Sequence, residues 1–156
     1  MGQSVLVIGP RFWGYSKSIA RAFSVLRYQV QHYYYQKEEP QTFIARTRKK
    51  FNSLTGRPLK GKGHIEKINA LVLEKYKTCK PDLTLIIDGN DLKRATLQKM
   101  QNSKLVLWMM DSIFRTPETF RNLDLYQACF MFEGDDVKHL QAKGISAFFL
   151  PVAFDH

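Results

Sequence analysis

Val5-Leu6-Val7-Ile8-Gly9-Pro10-Arg11-Phe12-Trp13-Gly14-Tyr15-Ser16 decides the fold of this chain. Four apolar residues, three of them β-branched, read as a short buried strand. Two glycines bound the turn that follows. From Ser16, Ile19, Phe23 and Leu26 recur at helical spacing, with Ala20 and Ala22 between them, which predicts a helix over residues 16–27, capped by Ser16 or Ser18. Residues 29–34 then alternate and carry tyrosines, as a second strand would. A strand, helix and strand joined this tightly form a βαβ unit, whose crossover is right-handed and whose strands are parallel. The turn after the first strand therefore opens on the carboxyl edge of the sheet, where ligands of such folds bind.

The same alternation continues. A helix is expected over residues 65–77, with Ile65, Ile68, Leu71, Val72 and Tyr76 on one stripe, and Cys79-Lys80-Pro81-Asp82 ends it. Strands follow at 83–87, 104–110, 128–132 and 147–150. The third is apolar throughout and reads as buried on both faces. Helices are expected over 91–101, with Asp91 near its start, and over 135–143, with Asp135 and Asp136 in its first turn and Gly144 as its stop. Between Ser112 and Asp124 a loop or short helix starts at Thr116-Pro117-Glu118. Strands alternating with helices predict an α/β fold: a doubly wound, mostly parallel, Rossmann-like sheet in three layers, one domain over residues 1–156. Residues 36–64 read as an insertion containing a helix over 41–54, with Phe43, Ile44, Phe51 and Leu54 on one face and Arg46, Lys49 and Lys50 off it.

Composition narrows the class. A chain of 156 residues with 44% hydrophobic residues can bury a core, and no apolar run approaches the length of a membrane span. No secretory signal is evident, and two cysteines, Cys79 and Cys129, are too few for a disulfide scaffold, so a cytoplasmic location is expected. No Cys/His spacing suggests a metal site. The net charge of +10 calls for anionic partners. Residues 37–64 hold eight basic side chains against Glu38 and Glu39, which leaves +6 of that total in one segment. A basic, amphipathic helix suits an anionic membrane surface or an anionic acceptor, and equally a solvated face. Nucleic acid is disfavoured, because the aromatics do not interleave on a strand face as in an RNA-binding sheet.

The turns that follow strands carry the candidate site residues: Arg11, Phe12, Trp13 and Gly14, then Asp88 and Asn90, then Asp111, then Glu133. The first turn is no dinucleotide fingerprint, since Arg11 stands where the middle glycine must admit the pyrophosphate. It is no phosphate loop either, since Tyr15 replaces the lysine that reaches the phosphates. Phe12 and Trp13 have a plain alternative, packing over the sheet edge, and Arg11 one as an ion-pair partner of Asp88 or Asp111. Asp88 and Asp111 suit acid/base work as paired carboxylates, or helix capping or turn formation.

Beyond this reading, V-L-V-I-G-P-R-F-W-G-Y-S, K-P-D-L-T-L-I-I-D-G-N, L-V-L-W-M-M-D-S and the terminal F-M-F-E-G-D-D-V-K-H-L-Q-A-K-G-I-S-A-F-F-L-P-V-A-F-D-H resemble the N-terminal half of GT-B glycosyltransferases, of the spore-maturation CgeB-like and surface-polysaccharide type. The resemblance covers nearly the whole chain, and its last motif is the most specific. It implies an acceptor-side domain that is inactive alone, with the nucleotide-sugar donor held by a separate C-terminal domain and no cofactor of its own. It also implies that Arg11 to Gly14 line the cleft, and that Asp111, then Asp88, serve as catalytic base or acceptor contact, without a metal. The partners would be a glycan or other hydroxyl acceptor, the donor domain, and the inner face of the membrane. The alternative is a stand-alone Rossmann-like module that docks on an anionic membrane or polymer through its basic segment.

Overall fold

A computed structural model describes residues 2–11, 14–35 and 62–151. Six parallel strands form one sheet: β1 (Ser4–Gly9), β2 (Gln29–Tyr34), β3 (Leu83–Ile87), β4 (Lys104–Trp108), β5 (Ala128–Met131) and β6 (Ala147–Phe149). Their order across the sheet is β2-β1-β3-β4-β5-β6. The chain thus leaves β1 in one direction to form β2, then returns past β1 and adds every later strand on the other side. That reversal places the topological switch point between the carboxyl ends of β1 and β3.

Among the described residues the α-helices are α1 (Tyr15–Val25), α2 (Lys62–Cys79), α3 (Arg94–Gln98), α4 (Pro117–Phe120) and α5 (Gly134–Gln141). With right-handed crossovers, the one reversal puts α1 on one face and the other described helices opposite. The core divides accordingly. Leu6, Ile8, Ile86, Leu105 and Leu107 meet Ile68, Val72, Leu97, Val137 and Leu140 on the crowded face. Val5, Val7 and Ile87 meet Ala20, with Ile19 and Phe23 of α1, on the other. Burying each such aliphatic side chain contributes about 1.5–3 kcal/mol. β3 is buried on both faces as its apolar run requires, whereas β4 is not: Leu105 and Leu107 are buried, while Val106 and Trp108 are half-buried. Farther out on that face Phe130 pairs with the exposed Phe148, their rings 5.7 Å apart.

Two local expectations are corrected. Neither Ser16 nor Ser18 caps α1; its N-cap is Gly14, in the left-handed region at φ 77°. The helix expected over 91–101 is only Arg94–Gln98. Asn69 of α2 accounts for this, because its side chain donates to Asp91 O at 2.9 Å and accepts from Lys93 N–H at 2.8 Å. These bonds hold residues 91–93 in an irregular link and leave Lys93 as the N-cap. The helix expected over 41–54, with Arg46, Lys49 and Lys50, lies outside the described residues. Cys129 is buried, and burial pushes its thiol up to about 12. Among the described residues no helix is long and apolar enough to cross a membrane.

Candidate functional site

The first turn is closed from within. Ser16 is buried in the first turn of α1, and its Oγ donates to Pro10 O at 3.1 Å. Gly14 O accepts from Lys17 N–H and Ser18 N–H at 2.9 and 3.0 Å. Gly9 is where Ser16 needs room. A Cβ there would overlap Ser16 Oγ and sit 3.1 Å from Ile87 Cβ. Gly9→Ala is therefore expected to break the Ser16–Pro10 bond and cost roughly 1–3 kcal/mol, the usual range for overpacking. Urea unfolding checks this, and an unchanged midpoint would show that the turn can relax.

After β3 the chain takes a second unusual path. Asp88 has φ 67° and Gly89 φ 72°. A non-glycine residue in this region is uncommon, although Asp tolerates it better than most. Asp88 is fixed there by its own N–H donating to Trp108 O at 3.0 Å and by Thr119 Oγ1 donating to its carbonyl at 2.9 Å. Backbone strain of this kind collects at functional sites. Behind it lie two buried phenols. Tyr35, whose hydroxyl donates to Ile87 O at 3.2 Å, is held well above the usual tyrosine range by burial and then by the charge of Asp88. Tyr126 is raised in the same way, chiefly by burial.

After β4, Asp111 accepts from Ser112 N–H at 2.8 Å and pairs with Arg115 at 3.1 Å. The turn is anchored by Asp136 of α5. This buried carboxylate accepts from Ile113 N–H at 2.8 Å and from Ser112 Oγ at 3.3 Å.

These three turns enclose one crevice of about 370 Å³ at the switch point, lined by Pro10, Tyr15, Ser16, Ile87, Asp88, Met110, Asp111, Arg115 and Thr116. Its volume falls within the range of small-molecule sites, roughly 300–1,000 Å³. The lining residues carry two carboxylates, a guanidinium and a phenol beside three apolar side chains, while the hydroxyls of Ser16 and Thr116 donate to Pro10 O and Ile113 O. Such a lining can hydrogen-bond a polyol, pack its C–H face and accept a proton from one of its hydroxyls.

The structure brings Asp88 and Asp111 together but not every residue that sequence reasoning named. Arg11 is exposed, its guanidinium 5.6 Å from the centre of the Tyr34 ring. Gly14 is exposed at the N-cap of α1. Asn90 is half-buried with its Oδ1 unpaired among the described residues, and it does not line the crevice. Glu133 is exposed at the N-cap of α5, after β5, and is likewise not part of the lining. Phe12 and Trp13 lie outside the described residues. Tyr15 and Ser16 line the crevice as parts of the first turn, whereas sequence reasoning missed Arg115 and Thr116 as lining and Asp136 as an anchor. Arg115 was recoverable, since it stands four residues after Asp111. Among the described residues no cluster of three or more metal-ligating side chains occurs.

No family model, curated protein or solved structure matches the chain.

Proposed function

We propose that this chain is the acceptor-side domain of a two-domain GT-B-type glycosyltransferase, and that the switch-point crevice binds the hydroxyl-bearing acceptor, a cell-surface or spore glycan. The observation that supports this reading most is the presence of two strand-end carboxylates, Asp88 and Asp111, in one crevice with Arg115. In the transfer step, Asp111 takes the proton of an acceptor hydroxyl as its oxygen attacks the anomeric carbon of the donor sugar. The glycosidic C–O bond forms, and the bond to the nucleotide diphosphate breaks. Asp88 and Arg115 hold neighbouring hydroxyls, while Pro10, Ile87 and Met110 pack the ring. The donor nucleotide belongs to the second domain, so the isolated chain binds acceptor without turning over. A cytoplasmic location, with access to the inner face of a membrane, suits such an enzyme.

The binding half of this reading is testable on the chain itself. Titration with glucan, galactan and N-acetylhexosamine oligosaccharides is expected to give saturable amide shifts at residues 87–88 and 110–116. Asp88→Asn is expected to weaken binding by about tenfold, corresponding to one charge-assisted hydrogen bond. A panel of acceptors that leaves these amides unmoved would overturn the assignment.

A further inference from the structure

We propose that the amino edge of the sheet holds a second ligand site, for a phosphate group, in a cavity of about 430 Å³ lined by Tyr76, Lys77, Lys80, Pro81, Lys99 and Asn102. It lies at the opposite edge from Asp88 and Asp111 and does not depend on the acceptor reading.

One wall of this cavity is fixed, and the side chains of Lys77, Lys80, Lys99 and Asn102 are exposed around it. Tyr76 is buried near the end of α2, and its hydroxyl donates to Met100 O at 2.8 Å. That bond ties the last turn of α2 to the turn after α3, and so brings Lys77 and Lys80 to the same cavity as Lys99 and Asn102. None of the three lysines forms an ion pair among the described residues.

The simplest competing account is that lysines neutralise the carboxyl end of a helix. That end carries only about half a negative charge, which one lysine satisfies. Three exposed lysines lining one cavity exceed that requirement. The backbone supplies the second observation. Lys80 N–H donates to Tyr76 O at 2.9 Å and closes α2 with φ 44°. Glycine is the usual residue there, because a Cβ in the left-handed region costs about 1 kcal/mol or more. The chain does use glycine after α5, where Gly144 has φ 77°. Arg27 closes α1 at φ 65° as Lys80 closes α2, but at Lys80 two further ammonium groups share the cavity. What distinguishes Lys80 from Arg27 is therefore the cavity it lines with Lys77 and Lys99, not its φ alone. A phosphate accepts from all three ammonium groups in charge-assisted hydrogen bonds, the Asn102 amide adds a neutral donor, and Tyr76 with Pro81 forms an apolar wall for whatever carries the phosphate.

Lysine-to-glycine exchange at position 80 separates this role from a structural one, because the two readouts move in opposite directions. Lys80→Gly is expected to leave the unfolding midpoint unchanged or raise it, and to weaken phosphate binding by about tenfold or more. The whole chain would be titrated with pyrophosphate at constant ionic strength, followed by amide shifts at residues 76–81 and 99–102, for the parent, Lys80→Gly and the Lys77→Gln/Lys99→Gln double variant. Co-sedimentation with phosphatidylglycerol vesicles, against phosphatidylcholine vesicles, distinguishes the source of the phosphate. Saturable pyrophosphate binding without vesicle binding assigns a soluble phosphorylated ligand. Vesicle binding that Lys80→Gly abolishes assigns a lipid headgroup. Shifts that only track ionic strength, or binding of either probe that neither variant weakens, would overturn the site.

Discussion

Under the proposed glycosyltransferase reading, Asp111→Asn, tested in a full-length chain with a nucleotide-sugar donor and a glycan acceptor, is expected to lower kcat by about 10²–10⁴, the contribution of a positioned general base. Asparagine keeps the shape of the side chain but cannot take the acceptor proton. The same reading expects the KM for the donor to change little, since it assigns the crevice to the acceptor. Loss of the fold does not explain such a result. The Asp111–Arg115 pair is well exposed, with side-chain exposures of 52% and 73%, and pairs of that kind contribute about 0–1 kcal/mol. A rate loss of 10² corresponds to about 2.7 kcal/mol, so it would exceed anything the broken pair does to stability. Asp88→Asn is the internal comparison. Asparagine tolerates φ 67° as aspartate does, so the backbone after β3 should hold. A larger kcat loss at Asp88 than at Asp111 would exchange the two roles. Undiminished turnover in Asp111→Asn would remove it as the base.

The fold was legible because its signals are local. The opening run, the Gly9-to-Ser16 turn and each later apolar run report burial and chain reversal within a few residues, and β2 and β3 fall on the residues expected of them. One failure was local, the cap of α1 at Gly14 in place of Ser16 or Ser18, and the other arose where a distant side chain intervened. Residues 91–93 carry nothing that forbids helix; it is Asn69, more than twenty residues earlier, that takes their backbone groups. Strand order was similarly hidden, since β2-β1-β3 and other parallel orders produce the same sequence pattern, and only the order fixes which turns become neighbours. The candidate site shows the same division. Asp88 and Asp111 were readable as polar residues ending apolar strands. That they share a crevice, while Glu133 does not, follows from the β1–β3–β4 adjacency and the path of residues 111–116.

Asp136 tests the latter dependence most directly. By sequence it is an acid in the first turn of a helix, a position in which removal costs a few tenths to about 1 kcal/mol through the helix dipole. In the structure it is 2% exposed and accepts from Ile113 N–H and Ser112 Oγ, two donors on the turn that carries Asp111. Asp136→Ala strands both donors in a buried place, at about 1–3 kcal/mol each. A total near 4 kcal/mol is therefore expected, with a fall in melting temperature of about 8–16 °C for a chain of this size. Asp136→Asn retains one acceptor oxygen and should lose about half as much. Thermal and urea unfolding of both variants decide between the two accounts. A loss below about 1 kcal/mol in Asp136→Ala would return Asp136 to the dipole role. A loss near the larger figure, accompanied in Asp136→Asn by weaker acceptor binding at an otherwise folded crevice, would establish it as the positioning residue for Asp111 and Arg115. The placement of Asp111 would then depend on Asp136, 25 residues farther along the chain.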